Sequence, residues 1–108
     1  MNDLKIVYVP VEELKSYEKN PRYWSDSAKE DLTKSISKYG MVDSVLCNTA
    51  KGRENVILGG NFRVHIAKQL GIKEIPVVYV NIPDLEKERE LVLRMNKNNG
   101  DWDYELLK

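Results

Sequence analysis

The stretch NVILGGNFRVHIAKQLGIKEIPVVYV, residues 55–80, decides how this chain folds. Residues 55–58 are rich in β-branched and apolar types and read as a strand, which Gly59 and Gly60 break. From Asn61 to Leu70, the residues Phe62, Ile66, Ala67 and Leu70 recur on one face of a helix, and Gly71 supplies its stop. Residues 75–80 are a second strand, with Pro76 near its start, where a missing N–H donor is tolerated. Strand, glycine pair, helix and strand follow one another with almost nothing between them.

Outward from this unit the pattern continues. Val45–Asn48 reads as a strand that pairs with residues 55–58 about the polar turn Lys51-Gly52-Arg53, forming a hairpin. Ahead of it Ser27, with Glu30 three residues later, has the spacing of a capping box and opens a helix. Ala28, Leu32, Ile36 and Tyr39 make its apolar stripe and Gly40 ends it. Residues 4–9 form a first strand, closed by Pro10 and a short turn over residues 11–14. Residues 15–26 show no period and read as a long loop, the kind of segment that tends to carry function. On the other side, Asp84 caps a helix running to about Asn96, with Leu85, Val92 and Met95 near one face and its acids ahead of Arg89 and Arg94, as the helix dipole favours. Residues 97–101 are turn-rich. Interleaved strands and helices with one hairpin predict a small α+β (mixed α/β) domain whose mixed sheet packs against helices. The domain is expected over residues 1–100. Residues 101–108 read as the opening of a further helix or a linker, as in a domain cut from a longer protein or one whose core a partner completes.

The bulk numbers fit a single compact unit. The chain has 108 residues, 42% of them hydrophobic and 31% charged, enough for one core and too few for two. Seventeen basic and seventeen acidic residues cancel, which argues against a broad basic surface that holds DNA by counterion release but says nothing about a single pocket. The one cysteine, Cys47, excludes an internal disulfide and every multi-cysteine metal pattern. No apolar run approaches the roughly 20 residues of a membrane span, and the first ten residues do not resemble a secretory signal. A cytoplasmic protein without membrane contact is the expectation.

Three clusters carry chemistry. Gly59 and Gly60 stand where a strand hands over to a helix, and a helix N-terminus presents unpaired amides with about half a positive charge. Glycines there let backbone amides approach a phosphate, and Arg63 in the first turn can clamp its oxygens. A plain tight turn with Arg63 as a surface charge is the alternative. His65 points about 200° away from Arg63 around the helix, so the two do not address one atom. The second cluster is Asn20-Pro21-Arg22-Tyr23-Trp24, where an arginine between aromatics suits phosphate binding with base stacking, or a loop pinned by Tyr23 and Trp24. The third is Asn96, Asn98, Asn99, Asp101 and Asp103, carboxylates and amides that suit Mg²⁺ with bound phosphates, or simply a helix end followed by turns. His65 reads as a surface or satisfied helix residue, and Cys47, in a strand with no base beside it, as a buried inert thiol. The sequence holds no phosphate loop of the Walker type, no nucleophile elbow and no His-Glu-x-x-His helix.

In their order along the chain, these residues resemble the ParB/sulfiredoxin-like superfamily. Asn20-Pro21-Arg22, followed by Leu32-Thr-Lys-Ser35-Ile36-Ser-Lys-Tyr-Gly40, is similar to the first ParB box. Gly60-Asn-Phe-Arg63-Val-His-Ile-Ala67 is similar to the second, usually Gly-Glu-Arg-Arg-x-x-Ala. The run Leu70-Gly-Ile-Lys-Glu-Ile-Pro-Val-Val78 is also typical, so the resemblance covers nearly the whole chain. It implies a nucleotide-binding domain of a DNA-handling protein, with phosphates, of a nucleotide or of DNA, held by Gly59, Gly60, Asn61 and Arg63, joined by Arg22 and Asn96; the ligand is then a nucleoside triphosphate with Mg²⁺, and DNA is a partner through this or a following domain. Asn61 and Phe62 replace the usual Glu-Arg pair and remove one arginine. Asn61 also stands where sulfiredoxins carry their catalytic cysteine, which excludes sulfinic-acid reduction. Only Asn96 represents the third box, Glu-Asn-x-Gln-Arg. The ending Asn96-Lys-Asn-Asn-Gly-Asp101-Trp-Asp103, with Val42-Asp43, is similar to ParB-like domains of phages and mobile elements, some called ParB-like nucleases and some preceding a DNA methyltransferase. Besides nucleotide binding, the resemblance therefore leaves open a metal-dependent nuclease or phosphotransferase using Asp43, Asp101 and Asp103, and a silent targeting domain. Whether the chain is an enzyme, and whether it forms a homodimer, the sequence leaves open.

Overall fold

The computed structural model describes residues 4–18 and 23–99, the last four by their backbone alone. Four strands form one mixed sheet in the order β1-β4-β2-β3: β1 is Ile6–Pro10, β2 Val45–Asn48, β3 Ile57–Gly59 and β4 Glu74–Val80. β1 runs antiparallel to β4, β4 parallel to β2, and β2 antiparallel to β3. The expected α+β class with a mixed sheet is what the chain adopts. The β2–β3 hairpin is present too, with a register shift at Leu46/Cys47.

Pro76 fits its strand because of where the ladders begin. It stands opposite Tyr8 of β1, and pairing with β2 starts one residue later, at Val45 and Val77. A residue without an N–H thus sits before the strand is flanked on both sides.

Three α-helices complete the fold: α1 over Asp26–Tyr39, α2 over Asn61–Gln69 and α3 over Leu85–Asn99. A short 3-10 turn at Val11–Glu13 follows β1. On one face of the sheet Val9, Val45, Cys47, Ile57, Ile75 and Val77 pack with Val64 and Ala67 of α2. The opposite side of α2 presents Phe62 and Ile66 to α1, where Ile36, Ala28 and Leu32 meet them. α2 is therefore clamped from two sides, which is why Val64 is buried although it lies off the single stripe expected for this helix. On the other face of the sheet, Val92 of α3 packs with Leu58, Val56 and Tyr17.

Several local expectations change. α1 begins earlier than expected, because Ser25 rather than Ser27 is its N-cap: its Oγ accepts from the Ala28 N–H at 3.1 Å. Tyr39 lies outside the stripe and is 64% exposed, and Leu70 lies beyond α2 and is also exposed. Asn55 is not in a strand. It takes a positive φ of 65° in the turn before β3, a conformation asparagine tolerates. α3 continues through Asn99 where a turn was expected after Asn96. The Asp84 cap holds, with its carboxylate accepting from the Glu86 and Lys87 amides. Residues 100–108, including the expected final helix or linker, lie outside the described residues. No helix among the described residues is long and apolar enough to cross a membrane.

Candidate phosphate-binding turn

β3 hands over to α2 at Gly59 and Gly60, and the two glycines are required for different reasons. At Gly59 an added Cβ would lie 3.0 Å from Cε and 3.4 Å from Cβ of Met95, so α3 crosses the strand at this point. Gly60 is the N-cap of α2, with φ 99° and ψ 19°. This is the left-handed region, which L side chains with a Cβ enter only at a cost. A Cβ here would also meet Arg63 Nη2 at 2.9 Å and Val45 Cγ2 at 3.3 Å. The Arg63 side chain thus folds back over the cap of its own helix.

That placement concentrates positive potential. The first intrahelical bond of α2 runs from the Val64 N–H to the Gly60 carbonyl, so the preceding amides have no acceptor within the helix. The first turn contains no acidic residue, although a carboxylate is what the helix dipole favours there. Arg63 Nη2 donates to the Ser44 carbonyl at 3.3 Å, while its Nε is buried and meets no acceptor among the described residues. A guanidinium, helix amides and a glycine without side-chain bulk converge on one spot, chemistry suited to a phosphate group.

Asn61 and Phe62 are committed elsewhere. Asn61 is buried, its Oδ1 accepting from the Tyr17 N–H at 3.4 Å and its Nδ2 donating to the Ile57 carbonyl at 3.3 Å. Phe62 stacks on Trp24 with ring centroids 4.8 Å apart, and His65 lies against the same indole at 4.9 Å. Tyr17 and Trp24 flank residues 19–22. The chain on either side of that segment is thereby fastened to consecutive residues of the first turn of α2. Of the two aromatics expected to pin this loop, Trp24 does so and Tyr23 is exposed.

The other sequence candidates scatter. Arg22, Asp101 and Asp103 lie outside the described residues. Asn96 is in α3, directly after the Met95 that covers Gly59. Asp43 is exposed, one residue before Ser44. His65 packs against Trp24, away from the cap, as its rotation around the helix requires. Among the described residues no group of three or more His, Cys, Asp or Glu could hold a metal ion. Cys47 is fully buried in β2, and burial pushes its thiol up to about 12, the inert state expected of it.

One polar cluster escaped the sequence reading. Glu88 of α3 is 1% exposed and accepts from Asn48 Nδ2 at 2.7 Å and from Arg53 Nη2 at 2.8 Å and Nε at 3.1 Å. Arg53 also grips Glu18, at 2.6 and 2.9 Å, and both carboxylates push its already high pKa upward. Asn48 completes its own set with the Ala50 and Ile82 amides and the Ile82 carbonyl. A signal did exist: residues 85, 88, 92 and 95 share one helical face, so Glu88 is a carboxylate in an apolar register.

The ParB N-terminal domain family matches residues 1–98. The chain belongs to that family. It is 36% identical over 87 residues to the ParB-like nuclease domain-containing protein YnaK of Escherichia coli K12, an overlap covering 80% of this chain and 95% of that protein. In fold it is similar to the C-terminally truncated chromosome-partitioning protein ParB of Caulobacter crescentus. With the form complexed with CTP-γ-S it shares 22% identity at a TM-score of 0.72, over 92% of this chain and 54% of that one. With the form complexed to the centromeric parS site the identity is also 22% and the TM-score 0.69, over 90% and 50% of the two chains. The chain thus spans about half the length of these ParB structures.

Proposed function

We propose that this ParB N-terminal domain is the nucleotide-binding module of a DNA-handling protein, and that the Gly59–Arg63 turn holds the phosphates. The observation that carries this reading is Arg63 lying over the left-handed Gly60 cap of α2, with Nε unpaired among the described residues and no acid in the first turn. A cation at the positive end of a helix is unfavourable alone and becomes favourable with an anion between them. Similarity to a ParB that binds CTP-γ-S and parS DNA supports the ligand class. Arg22, from the segment whose flanks are fastened to Asn61 and Phe62, adds a second guanidinium, and Asn96, which follows Met95 in α3, joins the set. Mg²⁺ would be held chiefly by the phosphates themselves. Asn61 serves the site indirectly, as the anchor of Tyr17.

Calorimetric titration of the four ribonucleoside triphosphates with Mg²⁺ tests the proposal. Binding of at least one by the wild type, weakened by about tenfold or more in Arg63→Ala as expected for loss of a charge-assisted pair, is the expected result. No binding, or equal binding by the variant, overturns it.

The name of the 36%-identical relative favours a second reading, a metal-dependent nuclease. Asp43, Asp101 and Asp103 are its candidate carboxylates. Cleavage of plasmid DNA that EDTA and Asp101→Ala both abolish would establish it, and intact plasmid under the same conditions would retire it.

A further inference from the structure

The Gly59–Arg63 turn is bordered by two elements that one side chain holds together. On one border Met95 of α3 packs onto Gly59. On the other, the Tyr17 amide donates to Asn61, the first residue of α2. Arg53, in the turn between β2 and β3, grips both borders at once. Its Nη1 and Nη2 bind the two oxygens of Glu18, the neighbour of Tyr17, and its Nη2 and Nε bind the two oxygens of Glu88, seven residues and about two helical turns before Met95.

We infer that Arg53 is a positioning residue for the phosphate turn, setting the geometry of Gly59–Arg63 through Glu18 and Glu88 without touching the ligand. The inference rests on the nucleotide-binding reading given above. Its physical basis is the planar guanidinium, which presents donors along two edges and so serves two carboxylates bidentately in a fixed orientation; an ammonium cannot do this. The two arms differ in kind. Glu88 is buried and its Oε2 also accepts from Asn48 Nδ2, so that arm is rigid. Glu18 is 61% exposed in its side chain, so its ion pair adds little to global stability, and its role is to fix where the Tyr17 amide stands.

The backbone between Lys15 and residues 55–57 is already paired, the Lys15 N–H donating to the Asn55 carbonyl and the Ile57 N–H to the Lys15 carbonyl. Beyond that pair, residue 17 is held by its ring, buried with Val56, Leu58 and Val92, and by Asn61, while Arg53 holds residue 18. The Tyr17–Asn61 bond, at 3.4 Å, is already beyond the usual N–H···O range, so a small shift of residue 18 is enough to break it.

Glu18→Gln separates positioning from folding. It keeps size and polarity at an exposed site and removes the charge from one arm only. The expected result is a thermal midpoint close to wild type, faster amide exchange at Tyr17 and shifted amide resonances at residues 61–63 in ligand-free protein, and about fivefold or more weaker binding of the triphosphate that the wild type takes, the scale of a typical coupling between sites. Arg53→Lys is expected to reproduce both effects rather than rescue them. Unchanged exchange at Tyr17 with unchanged resonances at residues 61–63, or unchanged affinity alongside altered exchange, overturns the inference. If the wild type binds no triphosphate, the nucleotide reading falls, and the exchange data still decide whether Arg53 positions the turn.

Discussion

Gly60 holds a conformation and a space that no other residue can fill together. Alanine there would carry a left-handed backbone and press its methyl group against Arg63 and Val45. Gly60→Ala should therefore lower stability by about 1–2 kcal/mol from the backbone alone, read as a shift of the urea midpoint. Arg63→Ala gives up one long bond to the Ser44 carbonyl and takes a cation from the positive end of α2, so it should leave stability nearly unchanged while weakening anion binding. Cys47 gives a pH dependence. Its thiol is raised by burial from 9.0 to about 12, so the unfolded chain loses that proton first and the folded chain binds more protons between the two values. Stability should then fall as pH rises through that window. Tyr17 and Tyr79, raised chiefly by burial, act in the same direction. Urea melts at increasing pH should show the decline, and Cys47→Ala should make it shallower. At this scale the sequence identified the glycine pair and Arg63, because strand-to-helix glycines have a local cause. It did not reveal that Asn61 and Phe62, which depart from the ParB pattern, anchor Tyr17 and Trp24, since those contacts join residues 44 and 38 positions apart.

Among the elements, α1 shows where local rules are ambiguous. Both Ser25 and Ser27 precede the apolar stripe, and the Ser27–Glu30 spacing matches a capping box, yet it is Ser25 whose Oγ takes the Ala28 amide. Ser25→Ala should cost about 1 kcal/mol, while Ser27→Ala, within the helix, should be close to neutral. Thermal melts of the two variants distinguish them. The strands and helices themselves were legible, because alternation, the 3.6 period and the Asp84 cap are local signals. Their ends were less so. α3 runs on through Asn96 because it is docked on β3 through Val92 and Met95, and tertiary contact overrides the weak helix propensity of Asn98 and Asn99. Likewise α2 is covered on two sides, so its buried set is wider than one stripe. The Glu88–Arg53–Glu18 cluster required knowing that α3, the hairpin turn and residue 18 converge, which no sequence interval states.

At the scale of the whole molecule, equal numbers of acids and bases leave the domain without a long-range field to gather DNA. Any binding of plain duplex should come from one small patch, so its dependence on salt should be shallow. Anisotropy titrations of a labelled duplex should give a log–log slope of magnitude about 3 or less, against about 6–10 for proteins contacting many phosphates. A steep slope would show a basic surface beyond the Gly59–Arg63 turn. The order β1-β4-β2-β3 has a further consequence, which concerns synthesis. β1 is made before the other three strands of this sheet, yet among the described residues it pairs with β4 alone, with Ile6 opposite Val78 about 70 residues on and Ile6, Val7 and Tyr8 still exposed when paired. During translation, at about 5–20 residues per second, this apolar segment waits several seconds for its neighbour to leave the ribosome. Pairing across so long an interval comes late in folding, which makes nascent β1 the strand of this sheet most in need of a chaperone.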